Sequence, residues 1–217
     1  MSNTVREIAQ GGWRLALDRQ QVIDAALELL DDEGLEALSL RTLAGRLGVQ
    51  APTLYWHIGS KAELLDALAD AIMDDAIRAI PKTRTDDDWA EWLLAALIEL
   101  RRAMLHHRDG ARIVSGARLA LRRGDFSESA MSTLVGHGVD LHQARLVVLA
   151  GERFTVGYVL EEQAPTDATQ QPPAIDELQR RFPTTVQAIG DYFSAGRTSD
   201  DLFSDIVRVI LSVPQKG

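Results

Sequence analysis

Apolar residues recur every three to four positions over most of this chain, and nowhere do they alternate with period two. The pattern predicts an all-α protein without a sheet. Val22, Ala25, Ala26, Leu29 and Leu30 form the first apolar stripe. Asp18-x-x-Gln21 is a capping-box variant ahead of it and Gly34 is a stop, so this helix runs to about Glu33. Ser39 opens a short second helix through its hydroxyl, with Leu40, Leu43 and Leu47 on one face. Gly48 supplies a turn residue with access to positive φ. Pro52 suits the first turn of a third helix, about Ala51 to His57, which buries Leu54 and Ile58. Ser60-Lys61-Ala62-Glu63 reads as a full capping box, opening a fourth helix through Leu64, Leu68, Ile72 and Met73 that Pro81 closes.

Beyond residue 80 the helices lengthen. Thr85 and the acids Asp86 to Asp88 sit at the start of a helix that carries Trp89, Leu93, Leu97, Leu100 and Met104 to about His106. Gly110 to Gly116 encloses one turn at most. Further helices are expected at about Ser127 to Val135, Asp140 to Gln163, Pro183 to Ser194 and Asp200 to Val213. The stretch Ala164 to Ala174, rich in Pro, Thr and Gln, reads as a mobile loop.

Charge gives these elements a direction. The chain carries a formal net charge of -9, yet from Ala37 through Ala62 it has Arg41, Arg46 and Lys61 and no acid. An acidic protein that keeps acids out of one short window presents that window to a polyanion. The second and third helices read as a helix-turn-helix with Thr53, Tyr55, Trp56 and His57 facing outward. With Ser39, Arg41 and Lys61 they supply hydroxyls, an indole N–H, an imidazole and cations suited to phosphates and base edges.

Other chemistry finds no frame. There is no cysteine, hence no disulfide and no thiolate. The N-terminal stretch lacks a long apolar run, so neither signal peptide nor membrane anchor is expected, and the location expected is cytoplasmic. His106 and His107 are helix neighbours that point apart; His137 and His142 straddle a turn at Gly138 without a clear carboxylate partner. No nucleophile motif surrounds the serines. No catalytic residue, no metal site and no cofactor are expected.

The segment VIDAALELLDDEGLEALSLRTLAGRLGVQAPTLYWHIGSKAELLDALAD resembles the DNA-binding domain of the tetracycline repressor (TetR) family. PTLYWH with Lys61 is similar to the tetracycline repressor subgroup. HRDGA at His107–Ala111 and the run FTVGYVLEEQ from Phe154 to Gln163 resemble that subgroup's ligand-binding domain. Residues 1–16 are polar, with Gly11-Gly12, and read as a flexible arm: a disordered tail is the favoured reading, and DNA contact through Arg6 and Arg14 the alternative. The resemblance implies a DNA-binding domain over 17–62 and a ligand-binding and dimerisation domain over 63–217. It implies a homodimeric repressor on a palindromic operator, released by a small-molecule inducer. Ala51 and Pro52 join the DNA contacts, and Ala51 stands where the subgroup carries a base-reading glutamine.

The ligand positions diverge from the subgroup. The subgroup binds a drug–magnesium chelate. Here its metal-ligating histidine is replaced by Val114, its drug-contacting histidine by Ile77, and its polar and aromatic contacts by Ala96, Leu100 and Ala117, while Arg118 matches. Valine and isoleucine offer no lone pair to a metal. The inducer is therefore expected to be apolar and not magnesium–tetracycline, in a pocket also lined by Met131, Leu134 and Val148 with Glu161 near its rim. The helices at 140–163 and 200–213 are apolar on more than one face, which fits a four-helix dimer interface with Val207 and Ile210 in it. The alternative is a helical small-molecule-binding protein or enzyme with a vestigial DNA module.

Overall fold

The structure is a computed structural model that describes residues 17–82, 88–117, 120–165 and 174–212. Among these residues there is no strand; the elements are α1 (Arg19–Glu33), α2 (Leu40–Leu47), α3 (Ala51–Tyr55), α4 (Lys61–Ala79), α5 (Trp89–His106), α6 (Gly110–Gly116), α7 (Leu121–Gly136), α8 (Leu141–Glu162), α9 (Ile175–Arg181), α10 (Pro183–Ser194) and α11 (Ser199–Leu211). The arm over 1–16, with Arg6 and Arg14, lies outside the described residues, as do Arg118, the acids at 86 and 87 and most of the 164–174 loop.

Local chemistry sets the first three helices. Asp18 and Gln21 form a reciprocal capping box on α1, and the Gly34 N–H returns to the Leu30 carbonyl. Ser39 and Thr42 form another on α2, which ends at Gly48 in the left-handed region at φ 64°. Leu43, Leu54 and Ile58 are sealed against Val22, Ala26 and Leu30, so this small core fixes α2 and α3 on α1. The box at Ser60 is only half formed. Ser60 accepts from the Glu63 N–H, but Glu63 Oε2 accepts from the Gly59 N–H at 2.8 Å instead of closing on Ser60.

From α4 to α8, with α11, the helices wrap one apolar core that runs unbroken from the small one, while α9 and α10 bury none of their residues. The larger half departs from the sequence pattern in three places. First, α6 spans seven residues instead of a single turn. It follows a sharp corner in which Asp109 adopts φ 59° and a Cβ on Gly110 would stand 2.2 Å from the Met104 carbonyl oxygen. Second, α7 begins at Leu121, six residues before the expected start. Its first turn, LRRGD, has no apolar stripe and no local cap; Asp70 of α4 caps it by accepting from the Arg122 N–H at 2.9 Å, and Arg122 Nε meets Asp74 at 2.8 Å. Third, α9 was not expected as a helix. Asp176 and Glu177 at its start and Arg180 and Arg181 at its end complement the helix dipole.

The last helix packs differently from the expected interface. Val207 is 0% exposed inside the protomer, with Phe203 and Leu211, against α5 and α8. Periodicity alone could not separate the inward face from the outward one, which carries Val209, 71% exposed. A buried cation ties this corner: Arg101 of α5 pairs with Glu162 Oε1 at 2.5 Å and Asp200 Oδ1 at 2.7 Å, over the rings of Tyr158 and Phe203. These carboxylates raise the pKa of the guanidinium above its ordinary value, Glu162 first, so the charge is locked.

Candidate nucleic-acid interface

The helix-turn-helix presents one polar face. On α3 and the turn after it, Pro52, Thr53, Tyr55 and Trp56 point to solvent, and Trp56 is 90% exposed. Tyr55 beside it is 56% exposed, so the two rings form an adjacent aromatic pair open to solvent. Leu54 and Ile58, both fully buried, hold the helix by its opposite side, so the outward residues sit on a fixed platform. Arg41 lies exposed on α2, and Lys61 is exposed at the first turn of α4. Ser39, Ala51 and His57 are half-buried; the Ser39 hydroxyl is already engaged with the Thr42 N–H at 3.1 Å.

The charge window contributes two cations to this face instead of three. Arg46 turns back to α1, with Nη2 2.6 Å from Asp32 and 3.6 Å from Glu28. Those acids, Asp32 first, raise the arginine's pKa and neutralise it in place. Its role is to staple α2 to α1. Arg41 and Lys61 form no ion pair among the described residues, and so keep their charge for a polyanion.

A second polar cluster, absent from the sequence reading, joins this platform to the larger domain. Asp31 on α1 accepts from the Arg108 N–H at 2.9 Å and lies 3.0 Å from His107 Nδ1. The Leu35 N–H donates to Asp109 Oδ2 at 2.9 Å, and Arg112 of α6 reaches Glu36 at 2.7 Å. Gln163, just past α8, donates to the Met104 and His107 carbonyls at 3.1 and 2.8 Å and accepts from the Ala111 N–H at 3.0 Å. The α5–α6 corner is thereby locked to both the platform and the end of α8. Burial alone pushes the Asp109 carboxyl up, but the Leu35 N–H and Arg112 prevail and hold it below its usual value. The sequence signal was the Asp-Gly pair within HRDGA, a mark of a sharp turn; the partners of this corner, 74 and 76 residues away, are invisible in one dimension.

The residues assigned to the ligand pocket do not all share one environment. Leu100, Val114, Leu134 and Val148 are buried in the common core, with Ile77, Ala117 and Met131 half-buried against it. Glu161 is exposed on α8 and does not face that core. Arg118 lies outside the described residues.

A rigid helix-turn-helix with an exposed aromatic and cationic face, latched to a larger helical domain, defines a DNA-binding regulator. Comparison with known proteins places it in a family. Residues 22–68 match the model for bacterial regulatory proteins of the tetR family, and residues 80–212 match the tetracyclin repressor-like C-terminal domain. The chain belongs to the tetR family. It is 43% identical over 163 residues to the class C tetracycline repressor protein of Escherichia coli, covering 75% of this chain and 73% of that one. Among solved structures it is similar to a class A TetR in complex with 5a,6-anhydrotetracycline and magnesium, at TM-score 0.64 and 33% identity, covering 90% and 96% of the two chains. BioQ with its double-stranded DNA operator matches at TM-score 0.61 and 29% identity, over 80% of this chain and 97% of that one. No helix among the described residues is long and apolar enough to cross a membrane.

Proposed function

We propose that this protein is a ligand-responsive transcriptional repressor that binds a palindromic operator as a homodimer. The observation that carries this is the exposed face of Arg41, Thr53, Tyr55, Trp56 and Lys61 on a buried helix-turn-helix core. Lys61 and the hydroxyls of Ser39, Thr53 and Tyr55 hold phosphates and set register; Arg41 reads a guanine edge. Ala51 adds at most a methyl contact. Two recognition helices on one palindrome require two copies of the chain. The test is a gel shift with the DNA upstream of its own gene. Saturable, competitor-resistant binding is expected, and none would overturn the reading.

The homodimer is supported by apolar side chains left uncovered on adjacent helices: Leu146 on α8, 50% exposed, and Val209 on α11. Val209→Asp is expected to give a folded monomer by sedimentation. Val207→Asp tests the other face: it puts an unpaired charge in the protomer core and lowers stability by about 3–5 kcal/mol. A Val209→Asp protein that remains a dimer would move the interface elsewhere.

Ligand is expected to act by preferring one of two orientations of the DNA-binding platform, through the latch at His107–Arg112. A coupling of about 1–3 kcal/mol is typical of such a linkage. The residues present do not fit a magnesium–tetracycline chelate. Val114 is buried among carbons and Ile77 is half-buried, and neither has a lone pair to offer a metal or a drug. The wall of Leu100, Leu134 and Val148 suits an apolar body. Calorimetric titration with tetracycline, with and without magnesium, is expected to show no tight magnesium-dependent binding. Micromolar magnesium-dependent affinity would refute the assignment.

A further inference from the structure

Gln50 opens the recognition helix, and its side chain has no task in the fold. It is the N-cap of α3, extended at φ -79° and ψ 144°. Its carbonyl accepts from the Thr53 N–H at 2.9 Å, so its backbone is built into the first turn. The other caps of the platform spend their side chains in place. Asp18 accepts from the Gln21 N–H, Ser39 from the Thr42 N–H and Ser60 from the Glu63 N–H. The Gln50 carboxamide makes no such bond, and forms no other hydrogen bond among the described residues. The residue is exposed, and no acid lies between Ala37 and Ala62 to claim its amide N–H groups. A polar head carried on a fixed backbone meets a partner at little cost in chain entropy.

Position and chemistry narrow what this head meets. A helix-turn-helix sets the N-terminal residues of its second helix against base edges in the major groove. Gln50 stands at that end, one turn before Thr53. Its neighbours offer less there. Ala51 is a half-buried methyl, Pro52 has no N–H, and Thr53 and Tyr55 carry single hydroxyls. Trp56 gives one indole donor. Among these side chains a carboxamide alone holds a donor and an acceptor side by side. Adenine shows the matching pair in the major groove, N7 accepting and the N6 amino group donating.

We propose that Gln50 is a specificity-determining residue of the operator complex and reads one adenine in each half-site. Its Nε2 donates to adenine N7, and its Oε1 accepts from the adenine N6 amino group. The carboxamide carries this recognition, not the dipole of the short helix behind it. The assignment rests on the operator-binding reading above and adds the identity of a base: each half-site holds one A·T pair set by Gln50, in addition to the guanine read by Arg41.

The test uses full-length protein and randomised duplex DNA, with bound molecules recovered by gel shift and sequenced. Wild-type protein is expected to select an inverted repeat with a fixed adenine in each half-site. Gln50→Ala is expected to relax that position to all four bases and to leave the rest of the motif intact. Gln50→Glu is expected to replace the adenine by cytosine, since a carboxylate accepts from cytosine N4. On the selected wild-type site, changing the adenine to cytosine is expected to weaken wild-type binding about tenfold, and Gln50→Glu to reverse the preference. Substituting 7-deazaadenine removes N7 alone. It is expected to weaken wild-type binding about fivefold, the effect of one hydrogen bond, and to leave Gln50→Ala unchanged. Both variants are expected to keep the wild-type thermal midpoint. A wild-type motif that both variants select unchanged overturns the assignment and leaves the repressor reading standing. A uniform loss of affinity without a change of motif does the same, as does a lowered midpoint in both variants, which would mark Gln50 as structural. A wild-type protein that selects no motif overturns the repressor reading and this assignment with it.

Discussion

Replacing Arg41 and Lys61 together by alanine is expected to lower operator affinity by about 100-fold or more per half-site, with no change in fold. The estimate follows from the charges each residue brings. A bidentate arginine on guanine is worth about 1–3 kcal/mol, and one lysine–phosphate contact adds about one released counterion to the salt dependence. Both side chains are exposed and free of ion pairs among the described residues, so their removal leaves no buried group behind. Arg46→Ala is the contrasting variant. That arginine is already spent on Asp32 and Glu28, so its loss is expected to cost stability by up to about 1 kcal/mol and to change the salt slope little. Titration of fluorescent operator at several salt concentrations separates the two. Equal losses from both sites would mean that Arg46 leaves α1 on binding DNA. Full affinity in the double variant would remove the interface from this face.

Gly110→Ala is expected to be the most damaging single methyl in the protein. Its Cβ would lie 2.2 Å from the Met104 carbonyl oxygen and 3.0 Å from the carbonyl carbon, and both are backbone atoms that cannot rotate away. The corner must open, at a cost of about 3 kcal/mol or more. For a domain of this size that lowers the thermal midpoint by roughly 10 °C. The corner carries Asp109 and His107, so opening it also loosens Leu35 and Asp31 from the larger domain. Surviving folded protein is therefore expected to bind operator with its ligand response blunted. Gly124→Ala inside α7, where a Cβ meets nothing within 4 Å, is expected to be neutral or stabilising by up to about 1 kcal/mol. If the two glycines behave alike, the corner is softer than its geometry states.

The latch also carries a dependence on acid. The Asp109 carboxyl is held below its usual pKa by the Leu35 N–H and Arg112, so it stabilises the folded form above its unfolded pKa. That contribution is lost as pH falls through the lowered folded value. Glu152, buried on α8, has the opposite sign. Burial raises its folded pKa, so it opposes folding above that value, and the penalty lifts as pH falls through it.

The sequence by itself determined the platform. The capping boxes at Asp18 and Ser39 and the turn at Gly48 are local devices whose partners lie within five residues, so their outcome follows from the chain alone; at Ser60 the expected box closes only halfway, because Glu63 turns to the Gly59 N–H. The outward set from Thr53 to Trp56 follows too, because a five-residue helix has only one face left once Leu54 and Ile58 are buried. Tertiary structure decided what depends on distant partners. Arg46 reads as a DNA cation until α1 brings Asp32 to it. The start of α7 has no signal of its own because its cap comes from Asp70. Val207 and Val209 are alike in the sequence, and only packing on α5 and α8 makes the first core and the second surface. Glu152 and Glu161 are both acids on one helix. Nine residues along an α-helix rotate a side chain to the opposite side, and that rotation, set against the positions of α5 and α7, buries the first and exposes the second.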